Sequence, residues 1–339
     1  AIIGFNIGSE LQWKKIKSLG KSITLIVIFE SLFAFAFVAI GIYLLTGKPE
    51  YGLIFGSLAA ATAPAATVDV IYEYKAKGPL TTTLLAVVGL DDAMAILIYA
   101  FALSFAKSAI SPEIQLTLKT VLIEPLIEIV GSIGIGTAIG LLFIFIAKRI
   151  QNKIKLLTLI IGTLFIAAGI SIELKLSMIL TSMAIGITVS NASPHSAQKV
   201  IEPLNDFAPP IYIIFFSLVG ARLNLRSITH FRTLSLLIVG IYVVLRAGGK
   251  YIGVLLGAYL SKAQQVVRKY LGFALFSQAG VAIGLAILSA NQLSLISEKG
   301  KQLAALIVLV ITLTTFIVQM IGPPLVKYAL FKAKENTRV

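Results

Sequence analysis

The sequence predicts an all-α, polytopic membrane protein with an inverted repeat and two broken helices. Three observations support this fold class. Of the 339 residues, 58% are hydrophobic and 13% are charged, whereas charged residues make up about a quarter of a soluble domain. The apolar residues form blocks that suit bilayer spans of about 20 residues. Two of these blocks are interrupted by polar or helix-breaking residues.

Ten apolar blocks predict ten membrane helices, preceded by a partial helix at the start of the chain. The blocks cover residues 22–46, 51–73, 80–106, 120–147, 156–171, 176–190, 207–220, 233–260, 270–290 and 302–330. The opening residues, AIIGFNIGSELQW, resemble the tail of a helix, so we expect at least one N-terminal helix to be missing from this sequence. The whole chain, 1–339, is expected to form a single membrane domain.

The net charge of +14 and the pI of 9.8 are better explained by topology than by nucleic-acid binding. Loops rich in Lys and Arg alternate with loops that hold fewer, so the positive-inside rule places the basic loops and the C-terminus in the cytoplasm. The chain has no cysteine and only two histidines, His195 and His230, which disfavours thiol, zinc and haem chemistry. We expect no cofactor, no nucleic-acid partner and a multi-pass location in the cell (inner) membrane.

The first interrupted block, 51–74, reads YGLIFGSLAAATAPAATVDVIYEY, with Pro64 in mid-span between Thr62 and Thr67. Proline removes a backbone hydrogen bond and clashes with the preceding turn, so this helix is either kinked or broken. Asp69 follows shortly afterwards. This acid favours a broken helix whose freed carbonyls form part of an ion site.

The second interruption lies at Ser277, Gln278 and Gly280, in the middle of the block 270–290. Small and polar residues also suit a helix-packing seam, but their position favours a break. Each interrupted block is the middle one of three consecutive blocks, and four blocks separate the two triplets. The triplets are therefore predicted to cross the membrane in opposite directions, as in an inverted-topology repeat.

Asp91 and Asp92 lie side by side in a stretch that is otherwise apolar from Leu84 to Leu103. One acid at the centre of a spanning helix costs about 2.5 to 3.5 kcal/mol on translocon scales, so an adjacent pair indicates function. Consecutive helical residues point about 100° apart, so one aspartate can meet a fixed cation while the other faces a cavity. A carboxylate that holds either a proton or a monovalent cation is the minimal component of an exchanger.

The block 233–260 supplies candidate partners for Asp91. Arg246 and Lys250 lie one helical turn apart on a single face of the predicted helix. The sequence does not choose between them, and snorkelling toward a span end is the alternative role for such long basic side chains. Weaker candidates, for which a structural or interfacial role is the simpler interpretation, are further acids in or near the spans: Glu30, Glu124 and Glu128.

Three segments, ATAPAATVDVIYEYKAKGPLTTTLLAVVGLDDAMAI, RAGGK and LGFALFSQAGVAIGLAIL, together resemble the monovalent cation/proton antiporter superfamily. The resemblance is to its two-aspartate branch of sodium/hydrogen exchangers and Kef-like proteins, and it extends over nearly the whole chain. It implies a sodium/proton antiporter fold with a core or transport part at about 51–148 and 233–330, in which the two broken helices cross. Beside it, the resemblance implies a dimerisation or scaffold part at about 1–46 and 156–220, a homodimer and elevator-like alternating access.

The resemblance also implies roles for individual residues. Asp92 would bind the cation and carry the proton, Asp91 would pair with Lys250, and Thr62 with neighbouring carbonyls would line the site. The transported ions would be protons and Na⁺, Li⁺ or K⁺, with Na⁺ the first expectation, in an electrogenic exchange that serves pH homeostasis. The second break departs from the family pattern, because it reads Ser-Gln-Ala-Gly where many relatives have a Pro-Arg-Gly-Glu-like segment. Asp69 has no assigned counterpart, and is either an extra ligand or a charge at the entrance.

Other classes of protein fit these residues less well. A Kef-like potassium efflux system or a cation channel would move cations without obligatory proton counterflow, and a sodium-coupled solute symporter of similar fold would take up an organic anion. An intramembrane aspartyl protease needs its aspartates on separate helices, so an enzyme is not expected. No glycine-rich nucleotide loop occurs in the sequence, which disfavours direct ATP drive.

Overall fold

The structure, a computed structural model, describes residues 1–110, 123–192, 199–204 and 227–336, together with single positions between 206 and 217. Within these residues the regular structure is helical. The main helices are α1 (Ile2–Glu10), α2 (Trp13–Thr46), α3 (Pro49–Ala59), α4 (Pro64–Glu73), α5 (Pro79–Ile110), α6 (Glu124–Ala147), α7 (Lys153–Glu173), α8 (Met178–Ala192), α9 (Ser227–Leu260), α10 (Gln265–Ala274), α11 (Gly280–Ser294) and α12 (Glu298–Lys332).

Six of the described helices are long and apolar enough to cross a membrane: α2 from Gly20 onward, α5, α6, α7, α9 and α12. The apolar helices α8 and α11 are shorter. The predicted blocks 51–73 and 270–290 each correspond to two half-helices in sequence, α3 with α4 and α10 with α11. The prediction of an all-α, multi-pass membrane protein is confirmed, while the predicted block 207–220 lies largely outside the described residues.

The chain divides into two compact units. One, which we call the site unit, consists of residues 19–121 and 224–339, and the other consists of residues 1–18 and 122–223. These units differ from the expected transport and scaffold parts, because most of α2 belongs to the site unit and α6 belongs to the other. The boundary near residue 19 coincides with Gly20, whose φ of 71° interrupts the helical geometry of α2. Which part of the chain moves during transport stays a prediction.

Close helix packing in the unit of residues 1–18 and 122–223 depends on glycines. A Cβ on Gly4 would lie 2.6 Å from the carbonyl oxygen of Ile179, so α1 and α8 pack through their backbones. The hydroxyl of Ser190 on α8 donates a hydrogen bond of 2.6 Å to the carbonyl oxygen of Ser9 on α1. In a membrane, where lipid is as apolar as leucine, such small-residue contacts and hydrogen bonds hold helices together.

In the site unit, α9 packs against α2 through Gly249, Gly253 and Gly257, which are four residues apart and so share one face. A Cβ on Gly253 would lie 2.5 Å from the carbonyl oxygen of Phe29 and 2.6 Å from the Cα of Glu30. Only glycine allows this approach. It brings the basic residues of α9 to the acid in the middle of α2.

Candidate cation site

The two broken helices meet at their breaks. The first break runs between α3, which ends at Ala59, and α4, which begins at Pro64. The second runs between α10, which ends at Ala274, and α11, which begins at Gly280. The backbone N–H of Ala63 donates a hydrogen bond of 3.0 Å to the carbonyl oxygen of Ser277, so the breaks touch directly. The crossing of two broken helices is therefore present as predicted.

Arg246 ties both breaks together through backbone carbonyls. Its side chain is fully buried and donates hydrogen bonds to Ala59 (3.1 Å) and Ala61 (2.8 Å) at the first break. It also donates to Phe276 (2.6 Å) and Ser277 (3.3 Å) at the second break. Carbonyls at a helix end, and in the break that follows it, lack partners within the helix, and a bilayer offers no water to replace those partners. The planar guanidinium, with five N–H donors, supplies these partners from a single side chain.

Lys250, one turn further along α9, joins the first break to two acids. Its ammonium donates to Glu30 Oε2 at 2.6 Å, to the Ala60 carbonyl at 2.7 Å and to Asp91 Oδ2 at 3.1 Å. An ammonium has three N–H donors, so these three acceptors use all of them. The sequence left Arg246 and Lys250 as alternative partners of Asp91, and in the structure the ion pair is formed by Lys250.

Ser31 links the carboxylates of Glu30 and Asp91 through the oxygens that do not contact Lys250. The hydroxyl oxygen of Ser31 lies 2.8 Å from Glu30 Oε1 and 3.2 Å from Asp91 Oδ1. Because a hydroxyl has a single proton to donate, it serves the two carboxylates in turn or shares a bent bond between them. Glu30 and Asp91, from α2 and α5, are thus held as a pair by one ammonium and one hydroxyl.

Asp92 and several uncharged oxygens complete the buried polar region of the site unit. Asp92 is 3% exposed, and Thr62 and Ser277 are buried in the two breaks. Among the residues that the structure describes, the hydroxyl oxygens of Thr62 and Ser277 have no hydrogen-bond partner, and neither has the side-chain carbonyl oxygen of Gln278. Buried polar atoms are rarely left unsatisfied, and oxygen atoms are the ligands that hard cations prefer. The breaks therefore offer oxygen ligands suited to a small cation.

Gln278 fixes the second break to the end of α3. Its amide nitrogen donates to the Leu58 carbonyl at 2.7 Å and to the Tyr242 hydroxyl at 2.8 Å. The sequence predicts Gln278 only as an interruption of the helix. Its hydrogen bonds show that it also satisfies one of the carbonyls at the end of α3.

The other residues predicted from the sequence are Pro64, Thr67, Asp69 and Gly280. Pro64 is the first residue of α4, where its fixed φ and missing N–H are favourable. Thr67 is buried and its hydroxyl lies 3.5 Å from the Ala63 carbonyl. Asp69 is exposed, so it does not join the buried cluster. Gly280 begins α11 at the far side of the second break.

Glu30 is the site residue that sequence reasoning missed. The sequence favours a structural or interfacial role for Glu30, yet this residue is fully buried and makes the shorter of the two ion pairs of Lys250. The available signal was its place near the middle of the apolar block 22–46. An ionisable residue within a span is by default a functional candidate, and this applies to Glu30 as it does to the aspartates.

A second missed acid, Glu335, holds the start of the helix that carries the aspartates. Glu335 comes shortly after α12 in the chain and is 6% exposed. Its carboxylate accepts hydrogen bonds from the backbone N–H groups of Leu80 (2.7 Å) and Thr81 (2.8 Å), and from the Thr81 hydroxyl (2.7 Å). These are first-turn donors of α5, so Glu335 caps that helix from a distant part of the chain and places a negative charge at the positive end of its dipole.

An all-α membrane protein with two crossed broken helices and a buried cluster of acids and bases at the crossing has the architecture of a secondary transporter. The chain belongs to the sodium/hydrogen exchanger family of transmembrane proteins, whose family model matches residues 1–328. This is a family of transporters. The expectation that the protein needs no cofactor stays a prediction. Within the described ranges, no group of three or more His, Cys, Asp or Glu side chains is arranged to hold a metal ion.

Curated relatives and solved structures agree with this family. The chain is 24% identical to the high-affinity Na(+)/H(+) antiporter NhaS3 of Synechocystis sp., over 99% of this chain and 70% of that protein. It is 26% identical to the Na(+)/H(+)-K(+) antiporter GerN of Bacillus cereus, over 86% of this chain and 71% of that protein. Its fold is similar to that of the sodium proton antiporter MjNhaP1 of Methanocaldococcus jannaschii, with a TM-score of 0.77, 16% identity, and coverage of 98% of this chain and 84% of that one.

Proposed function

We propose that this protein exchanges a monovalent cation, with Na⁺ as the first candidate, for protons across the cell membrane. The observation that carries the proposal is the buried cluster at the crossing of the breaks. There Lys250 pairs with Glu30 and Asp91. Asp92, the residue after Asp91 on α5, is 3% exposed. Two adjacent acids in a spanning helix, next to oxygen-rich breaks in two other helices, are what a site for a small cation requires.

Asp92 is proposed to bind the cation and the proton in turn. Keeping a carboxylate ionised in a buried site is costly unless a counter-charge neutralises it. A monovalent cation neutralises the charge, and so does a proton, but both cannot occupy the same oxygen. Competition for one carboxylate then couples the two ions, because the site crosses between the two sides of the membrane at low cost only when it carries one of them.

Thr62, the aspartates and the breaks would together surround the cation, and alternating access would expose it to one side of the membrane at a time. Potassium is the second candidate cation, since the relative from Bacillus cereus is described as a Na(+)/H(+)-K(+) antiporter. A homodimer, a location in the cell (inner) membrane and a cytoplasmic C-terminus belong to the same proposal. They rest on the resemblance to the family and on the distribution of Lys and Arg among the loops.

The proposal is tested by proton flux in proteoliposomes. With an acid interior, external Na⁺, K⁺ or Li⁺ should collapse the pH gradient in the wild type, and Asp92→Asn should abolish the response. Asp206→Asn, the same substitution at an exposed position, is the matched control and should behave like the wild type. If Asp92→Asn still exchanges, the carrier is a different group. If a cation tracer crosses while the pH gradient persists, the protein is a channel or a symporter.

A further inference from the structure

We infer that Glu30 is the permanent counter-ion of Lys250 and thereby leaves Asp91 available to the transported cation. The inference rests on the proposed function and deepens it, because it divides the acids of one site between two tasks. It starts from the unequal contacts of the ammonium, which lies 2.6 Å from Glu30 and 3.1 Å from Asp91.

The first step concerns what happens to Lys250 when a cation approaches the aspartates. If Asp91 turns toward the cation, the ammonium loses its longer contact. It keeps the hydrogen bond to Glu30 and the 2.7 Å hydrogen bond to the Ala60 carbonyl. Breaking a buried ion pair is strongly unfavourable when a charge is left alone. Because Glu30 remains, Asp91 can leave Lys250 without stranding a buried charge.

The second step concerns why Glu30, and not Asp91, stays with Lys250. Gly253, less than one turn from Lys250 on α9, packs against α2 so closely that a Cβ there would lie 2.6 Å from the Cα of Glu30. Lys250 and Glu30 therefore project from two helices in backbone contact, which fixes the distance between them. Asp91 belongs instead to α5, where it directly precedes the proposed carrier Asp92.

The third step is the balance of charge in the cluster. Arg246 binds the carbonyls of the two breaks, so Lys250 is the cation that the carboxylates of Glu30 and Asp91 share. With Glu30 assigned to Lys250, the two aspartates keep their negative charge for the ions that are exchanged. Without Glu30, Lys250 would neutralise Asp91 itself and compete with the incoming cation for that carboxylate.

The decisive variant is Glu30→Gln, assayed for Na⁺-dependent proton flux and for Na⁺-dependent thermal stabilisation in detergent. We expect the KM for Na⁺ to rise at least about fivefold, the lower end of typical couplings between sites, with little change of kcat at saturating Na⁺. Glu30→Asp should recover part of the affinity, because it restores a carboxylate. Glu298→Gln removes an exposed acid that pairs with Lys301 on the surface, and should leave the KM unchanged.

A double-mutant cycle separates this role from its rivals. If Glu30 acts through Lys250, Glu30→Gln should not raise the KM in a Lys250→Gln background, because the competing ammonium is gone. An equal rise in both backgrounds would make Glu30 a direct cation ligand and overturn the inference. An unchanged KM in Glu30→Gln, or a loss of kcat and of melting temperature at constant KM, would also overturn it. If the wild type exchanges no cation for protons, the proposed function is wrong, whatever the role of Glu30. The Na⁺-dependent thermal stabilisation of the wild type and of Glu30→Gln then still tests whether Glu30 affects cation binding.

Discussion

Glu335→Ala should destabilise the protein although it lies far along the chain from the aspartates. The substitution removes the acceptor of two backbone N–H groups, those of Leu80 and Thr81, and of the Thr81 hydroxyl. Loss of an N-cap costs about 0.5 to 2 kcal/mol, and each buried donor left without an acceptor costs about 1 to 3 kcal/mol. Because the lost cap and the unsatisfied donors describe the same helix end and are not summed, we expect a loss of about 2 kcal/mol, at the upper end of the first range and in the middle of the second.

The assay is thermal unfolding of the purified protein in detergent. A loss of about 2 kcal/mol corresponds to a decrease of the melting temperature of about 4 to 8 °C, by the scaling of domains of 150 to 250 residues. Glu335→Gln keeps one acceptor oxygen and should lose about half as much. Thr81→Val removes only the hydroxyl bond and should be the mildest of the three variants.

Two results would contradict this reasoning. The first is a melting temperature of Glu335→Ala equal to that of Glu298→Ala, which removes an exposed carboxylate. The second is full additivity of Glu335→Ala with Thr81→Val. Both substitutions remove the same 2.7 Å hydrogen bond, so the double variant should lose less than the sum of the single losses.

Three further variants or conditions test the rest of the site. Arg246→Lys keeps a positive charge but cannot bind carbonyls of both breaks, so it should lower the melting temperature and abolish Na⁺-dependent proton flux. Gly253→Ala should reduce both stability and flux, because its Cβ would lie 2.6 Å from the Cα of Glu30, whereas Gly248→Ala, with open space around its Cβ, should resemble the wild type in both assays. If cation and proton compete for Asp92, lowering the pH should raise the apparent KM for Na⁺ without lowering the maximal rate, and a constant KM with a falling rate would exclude a shared carboxylate.

The fold could be predicted because its signals are local. Apolar blocks of the right length mark the spans, and a proline or a polar pair in mid-block marks each break. Pro64 and Gly280 are where the second half-helices begin, since proline cannot continue a helix and glycine tolerates an irregular backbone at its start. The likeness of the two triplets followed from counting spans, which needs no knowledge of side-chain positions.

The partners within the site could not be predicted from the sequence, because they depend on distances between helices. Arg246 and Lys250 share a face of α9, and only the approach of α2 and the two breaks decides which reaches Asp91. Glu30 reaches Lys250 because α9 contacts α2 through its glycines, and sequence spacing alone does not reveal this contact. Asp69, by contrast, is near the first break in sequence but exposed in the structure.

The two cations of α9 explain how broken helices can persist in a membrane. The end of α3 carries carbonyls that would be costly to leave without partners in a bilayer, and together they form the negative end of a helix dipole. Arg246 and Lys250 satisfy Ala59, Ala60 and Ala61, and so stabilise both the hydrogen-bonding groups and the dipole. The positive charge that they bring in then lowers the cost of the neighbouring carboxylates. The proposed cation site is thus built beside two fixed cations, Arg246 and Lys250, which bind the carbonyls of the breaks and allow negative charge to be buried next to them.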